Sequence, residues 1–293
     1  MEIPIYPSSR PLERSDKTEF EEFFSLNPPE ISEFTFTNLY AWREAYGFRI
    51  SRLSGFIVLS SGSGDERRFF RPIGRGADLE VCVRSLAGER ASFIRIPAGD
   101  RDLMRRASGF REEADRNNAD YLYSVSELIE LKGKKYDGKR NFIKKFRELY
   151  PYEYITLDDR TNRECLDFQD LWCLTKGCER EKSLVREEAA VKEMCANFSF
   201  FGLCGGALRV DGKICAIAVG QRLNPETMVM HVLKAMPGIK GAYQTMHNEF
   251  LFREARGFRF LNMEQDLGVE GLRKSKLSYQ PVAMIEKYSY FPR

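Results

Sequence analysis

Two carboxylates in the C-terminal part of the sequence are the first candidates for chemistry. Glu264 and Asp266 follow Phe258–Asn262, a short apolar segment that predicts a strand. A carboxylate at a strand end can accept the proton of an attacking amine. Tyr279 ends the next predicted helix and is a candidate acid for the leaving group. An alternative role for the two carboxylates is to cap that helix or to pair with Arg273.

A glycine-bearing turn between a predicted strand and a predicted helix is the strongest local feature. It lies in the segment KAMPGIKGAYQTMHNEF, in which Gly238 and Gly241 flank Lys240. Glycines allow a ligand to approach the backbone, and the free amides at a helix start bind anions such as pyrophosphate. Lys240 adds a full positive charge. An ordinary turn, with glycines that only change the chain direction, is the alternative.

A basic segment precedes this turn in the sequence. Residues 131–147 carry eight basic side chains and one acidic side chain. Arg140, Lys144 and Arg147 share one face of the predicted helix, and Phe142 and Phe146 belong to an apolar stripe on another. Such a helix can pack on its own domain and present cations to phosphates. The alternative is a solvated charged face.

The sequence has two histidines, His231 and His247. Alternation places His231 on one strand face with Val229 and Leu233, which favours a packed, hydrogen-bonded side chain. Two histidines exclude a multi-histidine metal centre and offer no evident Ser-His or Cys-His nucleophile. A direct, single-step transfer is therefore favoured over a covalent intermediate.

Composition indicates a globular protein without a membrane span. The 293 residues are 43% apolar and 30% charged, with a net charge of +3, which is typical of soluble domains. The sequence lacks a run of eighteen apolar residues and a secretory leader, so we expect a cytoplasmic protein. The seven cysteines lack the paired spacing of a zinc site and are predicted to be buried thiols. Dinucleotide, P-loop and hydrolase-elbow motifs are missing.

The predicted elements repeat one order twice along the chain. Residues 1–126 and residues 127–293 each run helix, helix, strands, helix, strand, helix, strand, and Asp211-Gly212 predicts a tight hairpin in the second copy. This pattern predicts an α+β fold of two tandem domains, each a mixed, mostly antiparallel sheet flanked by helices. The order is also that of the GNAT acyltransferase fold.

Three segments together resemble the bacterial DUF2156 family, which is similar to the C-terminal domain of phosphatidylglycerol lysyltransferases. They are ELIELKGKKYDGKRNFIKKF, VMHVLKAMPGIKGAYQTMHNEF and LNMEQDLGVEGLRKSKLSYQPV. The resemblance implies tandem GNAT-like domains and the transfer of an acyl or aminoacyl group. The FemABX enzymes are similar in fold and donor. We expect residues 1–126 to be the degenerate copy, with Pro72–Gly76 as the counterpart of the glycine turn, and residues 127–293 to carry the site.

The resemblance also implies a set of site residues. The matching family positions are Lys139, Arg140 and Asn141; Gly241, Ala242, Tyr243 and Gln244; Glu264 and Asp266; and Leu272, Arg273 and Lys274. Donor contacts are predicted at Gly238, Lys240, Gly241, Ala242, Tyr243 and Gln244, and substrate contacts at His231, Lys139, Arg140, Lys144, Arg273 and Lys274. Met263 departs from the family, which often has arginine there. The lipid-modifying relatives also carry a membrane-spanning region, and this sequence has none.

The sequence therefore predicts a soluble acyl- or aminoacyltransferase of the GNAT superfamily. The donor is a thioester or an aminoacyl-tRNA, with acyl-CoA or aminoacyl-tRNA as co-substrate, and the acceptor is an unidentified amine or hydroxyl. No tightly bound cofactor and no metal are expected. The alternative is a catalytically silent binding module for tRNA or an acyl carrier. Met263 and the glycine turn favour that alternative, since GNAT enzymes usually have Gln or Arg at the position of Gly238.

Overall fold

The structure is a computed structural model that describes residues 2–62, 66–74, 78–87, 92–107 and 109–293. The chain forms two compact units. The first unit comprises the chain up to Asp120 together with Gln265–Glu270 and Met284–Arg293, and the second comprises Tyr121–Glu264 and Gly271–Ala283. This division differs from the sequential one predicted at residue 126, because the chain returns twice to the first unit after residue 264.

The first unit contains five helices and a mixed sheet within the residues described. Its helices are α1 (Lys17–Leu26), α2 (Phe36–Ala41), α3 (Arg43–Tyr46), α4 (Leu79–Ala87) and α5 (Arg101–Ala107). Its strands, numbered along the chain, are β1 (Arg10–Pro11), β2 (Arg49–Leu53), β3 (Phe56–Ser61), β4 (Arg68–Phe69), β5 (Ile73–Gly74), β6 (Ser92–Pro97), β7 (Phe110–Ala114) and β15 (Lys287–Pro292). The sheet order is β1-β2-β3-β4-β6-β15-β7, with β5 also paired to β3.

Strand β15 was predicted as part of the last strand of the second domain, and that assignment is wrong. It lies between β6 and β7, antiparallel to both. Its Tyr288 and Tyr290 are buried in an apolar core with Phe93 and Phe110. Aromatic side chains fill this core because their large apolar area makes burial favourable.

A buried ion-pair network accompanies that core. The Lys287 ammonium lies 2.5 Å from Oε2 of Glu33 and 2.7 Å from Oδ1 of Asp120. Burial raises the pKa of Glu33, while the Lys287 charge opposes the shift. Arg95, 3.5 Å from Glu33, adds a second cation. Two carboxylates and two cations thus balance within the first unit, as buried charges require.

The second unit has seven strands in its sheet, counting the residues described. They are β8 (Asp120–Ser124), β9 (Tyr152–Thr156), β10 (Cys204–Val210), β11 (Lys213–Asn224), β12 (Thr227–Ala235), β13 (Phe260–Asn262) and β14 (Ala283–Ile285). The order is β14-β8-β13-β12-β11-β10-β9. The predicted Asp211-Gly212 hairpin joins β10 and β11. Both turn residues have positive φ, 49° and 76°, as a type I′ turn requires.

Helices flank this second sheet. They are α6 (Val125–Glu130), α7 (Asp137–Leu149), α8 (Asn162–Lys176), α9 (Lys182–Ala196), α10 (Phe198–Phe201), α11 (Ala242–Phe250) and α12 (Glu270–Leu277), the last beginning at the boundary between the units. A π-helical segment, Leu251–Ala255, continues α11. Ala242, Met246 and Phe250 are fully buried, because the i, i+4, i+8 spacing places them on one helix face.

The cysteines are free thiols, and six of the seven are buried, as predicted. Burial raises the pKa of Cys82, Cys195 and Cys215 to about 11. They therefore stay protonated and act as small apolar side chains at neutral pH.

Candidate active site

The pairing of strands β12 and β13 ends inside the second unit, beside two of the predicted site residues. They run parallel, and in the described part of the chain their pairing comprises Thr227 with Phe260, Met228 with Leu261 and Val229 with Asn262. Two residues beyond the last pair stand His231 on β12 and Glu264 after β13. Because successive side chains of a strand alternate, a step of two returns each chain to the same face.

This register brings His231 and Glu264 together. The Nδ1 atom of His231 lies 2.8 Å from Oε1 of Glu264. The His231 side chain is fully buried, whereas that of Glu264 is 22% exposed. His231 Nε2 is buried and has no hydrogen-bond partner among the described residues. The pair thus joins a sheltered imidazole to a carboxylate that solvent or a substrate can reach.

The backbone around Glu264 is held in an uncommon conformation. Glu264 has a φ of 57°, in the left-handed region that non-glycine residues rarely adopt. Its amide donates to Oδ1 of buried Asn262 at 2.8 Å, a local bond that stabilises such a turn. Its carbonyl accepts from the Tyr121 amide at 3.2 Å. The neighbouring Met263 carbonyl accepts from the Lys276 ammonium at 2.6 Å.

Asp266, the second predicted base, belongs to the first unit. Its side chain is fully buried, and Oδ2 lies 3.0 Å from an amino group of Arg116. Oδ1 accepts from the Gly268 amide at 2.8 Å. These contacts favour a structural role in the turn before α12, so the role of Asp266 as a base stays a prediction. In the structure Glu264 contacts His231, and Asp266 contacts Arg116.

Tyr279, the predicted acid, lies in a second group of buried polar side chains. Its ring meets that of His247 edge to face at 4.7 Å, and the Lys139 ammonium lies 3.8 Å from its ring centre. Its hydroxyl has no hydrogen-bond partner within the described ranges. Burial, together with the nearby Tyr243, holds the pKa of Tyr279 well above its usual value. The hydroxyl therefore stays protonated and can donate a hydrogen bond.

The neighbours of Tyr279 also have shifted pKa values. Burial, aided by the Lys139 charge, lowers the pKa of His247 to about 3. Burial also lowers the pKa of Lys139, whose ammonium donates to the Ser278 hydroxyl at 2.6 Å. Desolvation raises the pKa of Tyr243 to about 12. At neutral pH this group contains one cation, one neutral imidazole and two phenols.

The glycine turn is shaped by a close helix contact. Gly241 is the residue before α11 and has a φ of 86°. A side chain there would overlap the carbonyl oxygen of Phe142 and come within 2.9 Å of Cβ of Phe146, both on α7. At Gly238, with a φ of 90°, a Cβ would meet nothing within 4 Å. Gly241 thus permits α7 to pack against the start of α11, while Gly238 and exposed Lys240 border open space.

The basic face of α7 is largely engaged within the second unit. Arg140 donates to the carbonyls of Leu131 and Gly133 and pairs with Asp137. Arg147 lies 3.0 Å from Glu249. Lys144 is 75% exposed, and its ammonium lies 3.8 Å from the carboxylate of Glu148, which is a long distance for an ion pair. Arg140 therefore stabilises the preceding loop, and Lys144 is the member of the predicted trio best placed to meet a ligand.

The other predicted site residues lie on two helices of the second unit. Ala242, Tyr243 and Gln244 form the first turn of α11, with Ala242 fully buried. Arg273, half-buried, and Lys274, exposed, lie on α12. Their roles in donor and substrate binding stay predictions. The counterpart turn Pro72–Gly76 is described only to Gly74, since Arg75 and Gly76 lie outside the described residues.

Sequence reasoning missed the pairing of His231 with Glu264 and the residues that hold Glu264 in place. His231 was predicted to be packed and hydrogen-bonded, which the structure confirms, but its partner lies 33 positions away. The sequence offered only the position of Glu264 just after a predicted strand, and it did not specify the β12–β13 register. Asn262, two residues before Glu264, could also have indicated a local turn.

Several solved structures share the fold of this chain. A protein from Bacteroides thetaiotaomicron VPI-5482, described as a conserved protein of unknown function, is 34% identical, with 97% of this chain and 99% of that chain covered and a TM-score of 0.89. The C-terminal domain (DUF2156) of a putative lysylphosphatidylglycerol synthetase from Agrobacterium fabrum matches at 14% identity, 96% and 93% coverage and a TM-score of 0.68. FemX matches at 9% identity, 98% and 97% coverage and a TM-score of 0.60. No curated protein matches the sequence.

These likenesses confirm the predicted fold class, an α+β chain with two mixed sheets flanked by helices, and the likeness in fold to FemX. The model of one family matches residues 24–291 and is described as "Phosphatidylglycerol lysyltransferase, C-terminal". The chain belongs to this family, as the resemblance predicted. Among the described residues, no helix has the length and apolar character needed to span a bilayer.

Proposed function

We propose that the second unit transfers an aminoacyl or other acyl group from an activated donor directly to an amine or hydroxyl acceptor. The observation that carries the proposal is the His231–Glu264 pair at the end of the β12–β13 pairing. Family membership supports aminoacyl transfer in general. The family description names lysyl transfer to phosphatidylglycerol, and a lysylphosphatidylglycerol synthetase domain shares the fold.

In the proposed reaction Glu264 is the general base. The acceptor nitrogen or oxygen attacks the carbonyl carbon of the donor, and its proton passes to the Glu264 carboxylate. In this proposal the Nδ1–H of His231 donates to Oε1 and holds the carboxylate in one orientation. The bond from the carbonyl carbon to the donor oxygen or sulfur then breaks, and the leaving atom takes up the proton that Glu264 accepted, which restores the carboxylate.

Tyr279 is proposed as a hydrogen-bond donor to the leaving group. Its raised pKa makes it a weak acid but keeps its proton in place. A protonated hydroxyl in a water-poor setting can stabilise developing negative charge. Lys240, the start of α11 and exposed Lys144 are proposed to neutralise donor phosphates. Aminoacyl-tRNA is the favoured donor class because of the family, and acyl-CoA is the other donor to be tested.

The second candidate function is the catalytically silent binding module. The observation in its favour is the complete burial of the His231 side chain, together with the packing of α7 against Gly241. In that case the pair would serve to tie β12 to the segment after β13, and a donor or carrier would bind without reacting.

The test begins by finding a donor and then compares two variants. A donor at about 100 times its Kd adds about 2.7 kcal/mol of stability, which a rise in melting temperature detects. With that donor, single-turnover transfer to an amine acceptor is measured. Glu264→Gln should lose about 10²–10⁴-fold in rate while its donor affinity is kept. Glu153 is an exposed carboxylate on β9, and the control variant Glu153→Gln should transfer at the wild-type rate.

Two outcomes would overturn the proposal. Full activity of the Glu264→Gln variant would remove Glu264 from the reaction. Absence of transfer by the wild type with every donor that raises its melting temperature would favour the binding module.

A further inference from the structure

A cavity of about 640 Å³ lies at the opposite end of β12 and β13 from the His231–Glu264 pair. It is lined by the start of α6, the π-helical segment and the start of β13. Phe260, the first residue of β13, forms part of its wall. The volume lies within the range of small-molecule sites in proteins. This site is independent of the transfer reaction proposed above.

Two arginine–phenylalanine pairs line this cavity, and a third pairs the lining residue Phe258 with Arg222 outside the lining. The guanidinium of Arg256 lies 5.3 Å from the ring centre of Phe252, and that of Arg259 lies 4.7 Å from the ring of Phe260. Arg222 lies 5.2 Å from the ring of Phe258. Guanidinium planes and aromatic faces both stack on planar rings, and the guanidinium groups also bind phosphate. The arrangement suits a planar ligand with negative charge.

The backbone presents one of these rings to solvent. Phe252 lies in the π-helical segment and is 49% exposed. Short π-helical turns are rare and frequently occur at functional sites. A half-exposed aromatic ring beside a cavity and a guanidinium can stack against a planar ligand.

Hydroxyl and carboxylate groups line the same cavity. The Ser124 and Ser126 hydroxyls lie 3.1 Å apart, and the Glu130 carboxylate lies 2.9 Å from the exposed Lys132 ammonium. A carboxylate in the wall disfavours a ligand that is anionic throughout. It favours a ligand that brings hydroxyl donors to the wall and keeps its negative charge near Arg259, which is 70% exposed and 3.8 Å from Glu226.

We propose that this cavity binds a ribonucleoside phosphate. The base stacks against Phe252 and Arg256, the ribose hydroxyls donate to Glu130, and the phosphate meets Arg259. The carboxylate and serine hydroxyls of the wall select ribose over deoxyribose, because the 2′-hydroxyl of ribose can both donate and accept hydrogen bonds. A free nucleotide and a nucleotide within a single RNA strand share this chemistry. The surface of an anionic lipid lacks the planar base and the ribose.

Calorimetry with the full chain tests the proposal. Adenosine 5′-monophosphate, its 2′-deoxy analogue, a short single-stranded oligoribonucleotide and vesicles of anionic lipid are the probes. Phe252→Ala and Arg259→Gln should each weaken nucleotide binding by about tenfold. Leu174→Ala and Arg163→Gln, at side chains 77% and 86% exposed elsewhere on the second unit, are matched controls that should bind normally. Glu264→Gln should also bind normally, which separates this site from the transfer reaction.

Each outcome of the binding measurements either supports or overturns the proposal. Saturable binding of the mononucleotide or the oligoribonucleotide that both cavity variants weaken supports the proposal, and the tighter probe identifies the source. If neither the mononucleotide nor the oligoribonucleotide binds, or if neither variant weakens their binding, the proposal is overturned. Equal affinity for the deoxy analogue overturns the assignment of ribose. Binding of vesicles alone identifies a lipid surface and also overturns the proposal.

Discussion

The imidazole of His231 and the carboxylate of Glu264 are in hydrogen-bond contact, 2.8 Å apart, just beyond the last paired residues of two parallel strands. His231 belongs to the long central strand β12, whereas Glu264 stands on a left-handed turn held by Asn262. Fixing the carboxylate in this way removes much of its rotational freedom. A base that is already oriented loses less entropy when the acceptor binds.

Replacing His231 tests whether the pair acts as a unit. In His231→Leu the Glu264 carboxylate loses its orienting donor, and transfer should fall by about tenfold to a hundredfold. In His231→Asn the side-chain amide can occupy the place of Nδ1, so much of the rate should return. The measurement is the single-turnover rate at saturating donor. Equal rates in the two variants would show that orientation by residue 231 is unimportant.

Tyr279→Phe should separate stability from transfer. The buried Tyr279 hydroxyl has no hydrogen-bond partner within the part of the chain described, and such a group is costly. Removing it should raise the free energy of unfolding by about 1 kcal/mol. Transfer should slow, since the proposed donor to the leaving group is lost. Chemical denaturation and single-turnover kinetics measure the two effects, and a stable variant with the wild-type rate would exclude a role for the hydroxyl.

Gly241→Ala and Gly238→Ala form a matched pair. Both glycines have positive φ, and alanine there costs about 1 kcal/mol through backbone strain. At Gly241 the new methyl group also overlaps the α7 backbone at Phe142. We expect a total loss of at least about 2 kcal/mol at Gly241 and about 1 kcal/mol at Gly238. Urea unfolding of both variants checks this, and equal losses would contradict the packing argument.

Asp266→Asn should weaken the fold without touching the chemistry. The change removes the negative charge from the ion pair with Arg116 and can disturb the bond to the Gly268 amide. The expected loss is about 1–3 kcal/mol. The transfer rate per folded molecule should stay at the wild-type value, the reverse of the pattern expected for Glu264→Gln. A stable Asp266→Asn variant without transfer activity would restore Asp266 as the base.

His247 should make the protein less stable in acid. Burial lowers its pKa in the folded state to about 3, while an unfolded histidine titrates near 6.5. Between these values the unfolded state binds more protons, so stability falls as the pH drops from about 6.5 towards 3. The slope from this one group is at most about 1.4 kcal/mol per pH unit.

His247→Phe removes this contribution while keeping a ring against Tyr279. The free energy of unfolding at pH 7 and at pH 4.5 gives the measurement. The difference between the two pH values should be smaller in the variant than in the wild type. An equal difference in both proteins would show that His247 does not titrate in the predicted window.

Local signals predicted much of the fold, and remote pairing limited the rest. Asp211-Gly212 specifies its own turn through two residues that tolerate positive φ, so the β10–β11 hairpin was predictable. The partners of β15 lie far away in the sequence, and its alternating pattern suits either sheet. The His231–Glu264 contact required the β12–β13 register, which no local pattern contains. Gly241 was recognised as necessary, but the neighbour that makes it so, α7, was identified only by packing.

The position of β15 has a consequence for how the protein matures on the ribosome. Strands β6 and β7 are synthesised early, yet the strand that separates them emerges only after the whole second unit has been made. Until then their edges offer unpaired backbone groups to other chains, a hazard for aggregation. The second unit can form its sheet up to the edge strand β14 during synthesis, while the core of the first unit closes only once Tyr288 and Tyr290 have been made.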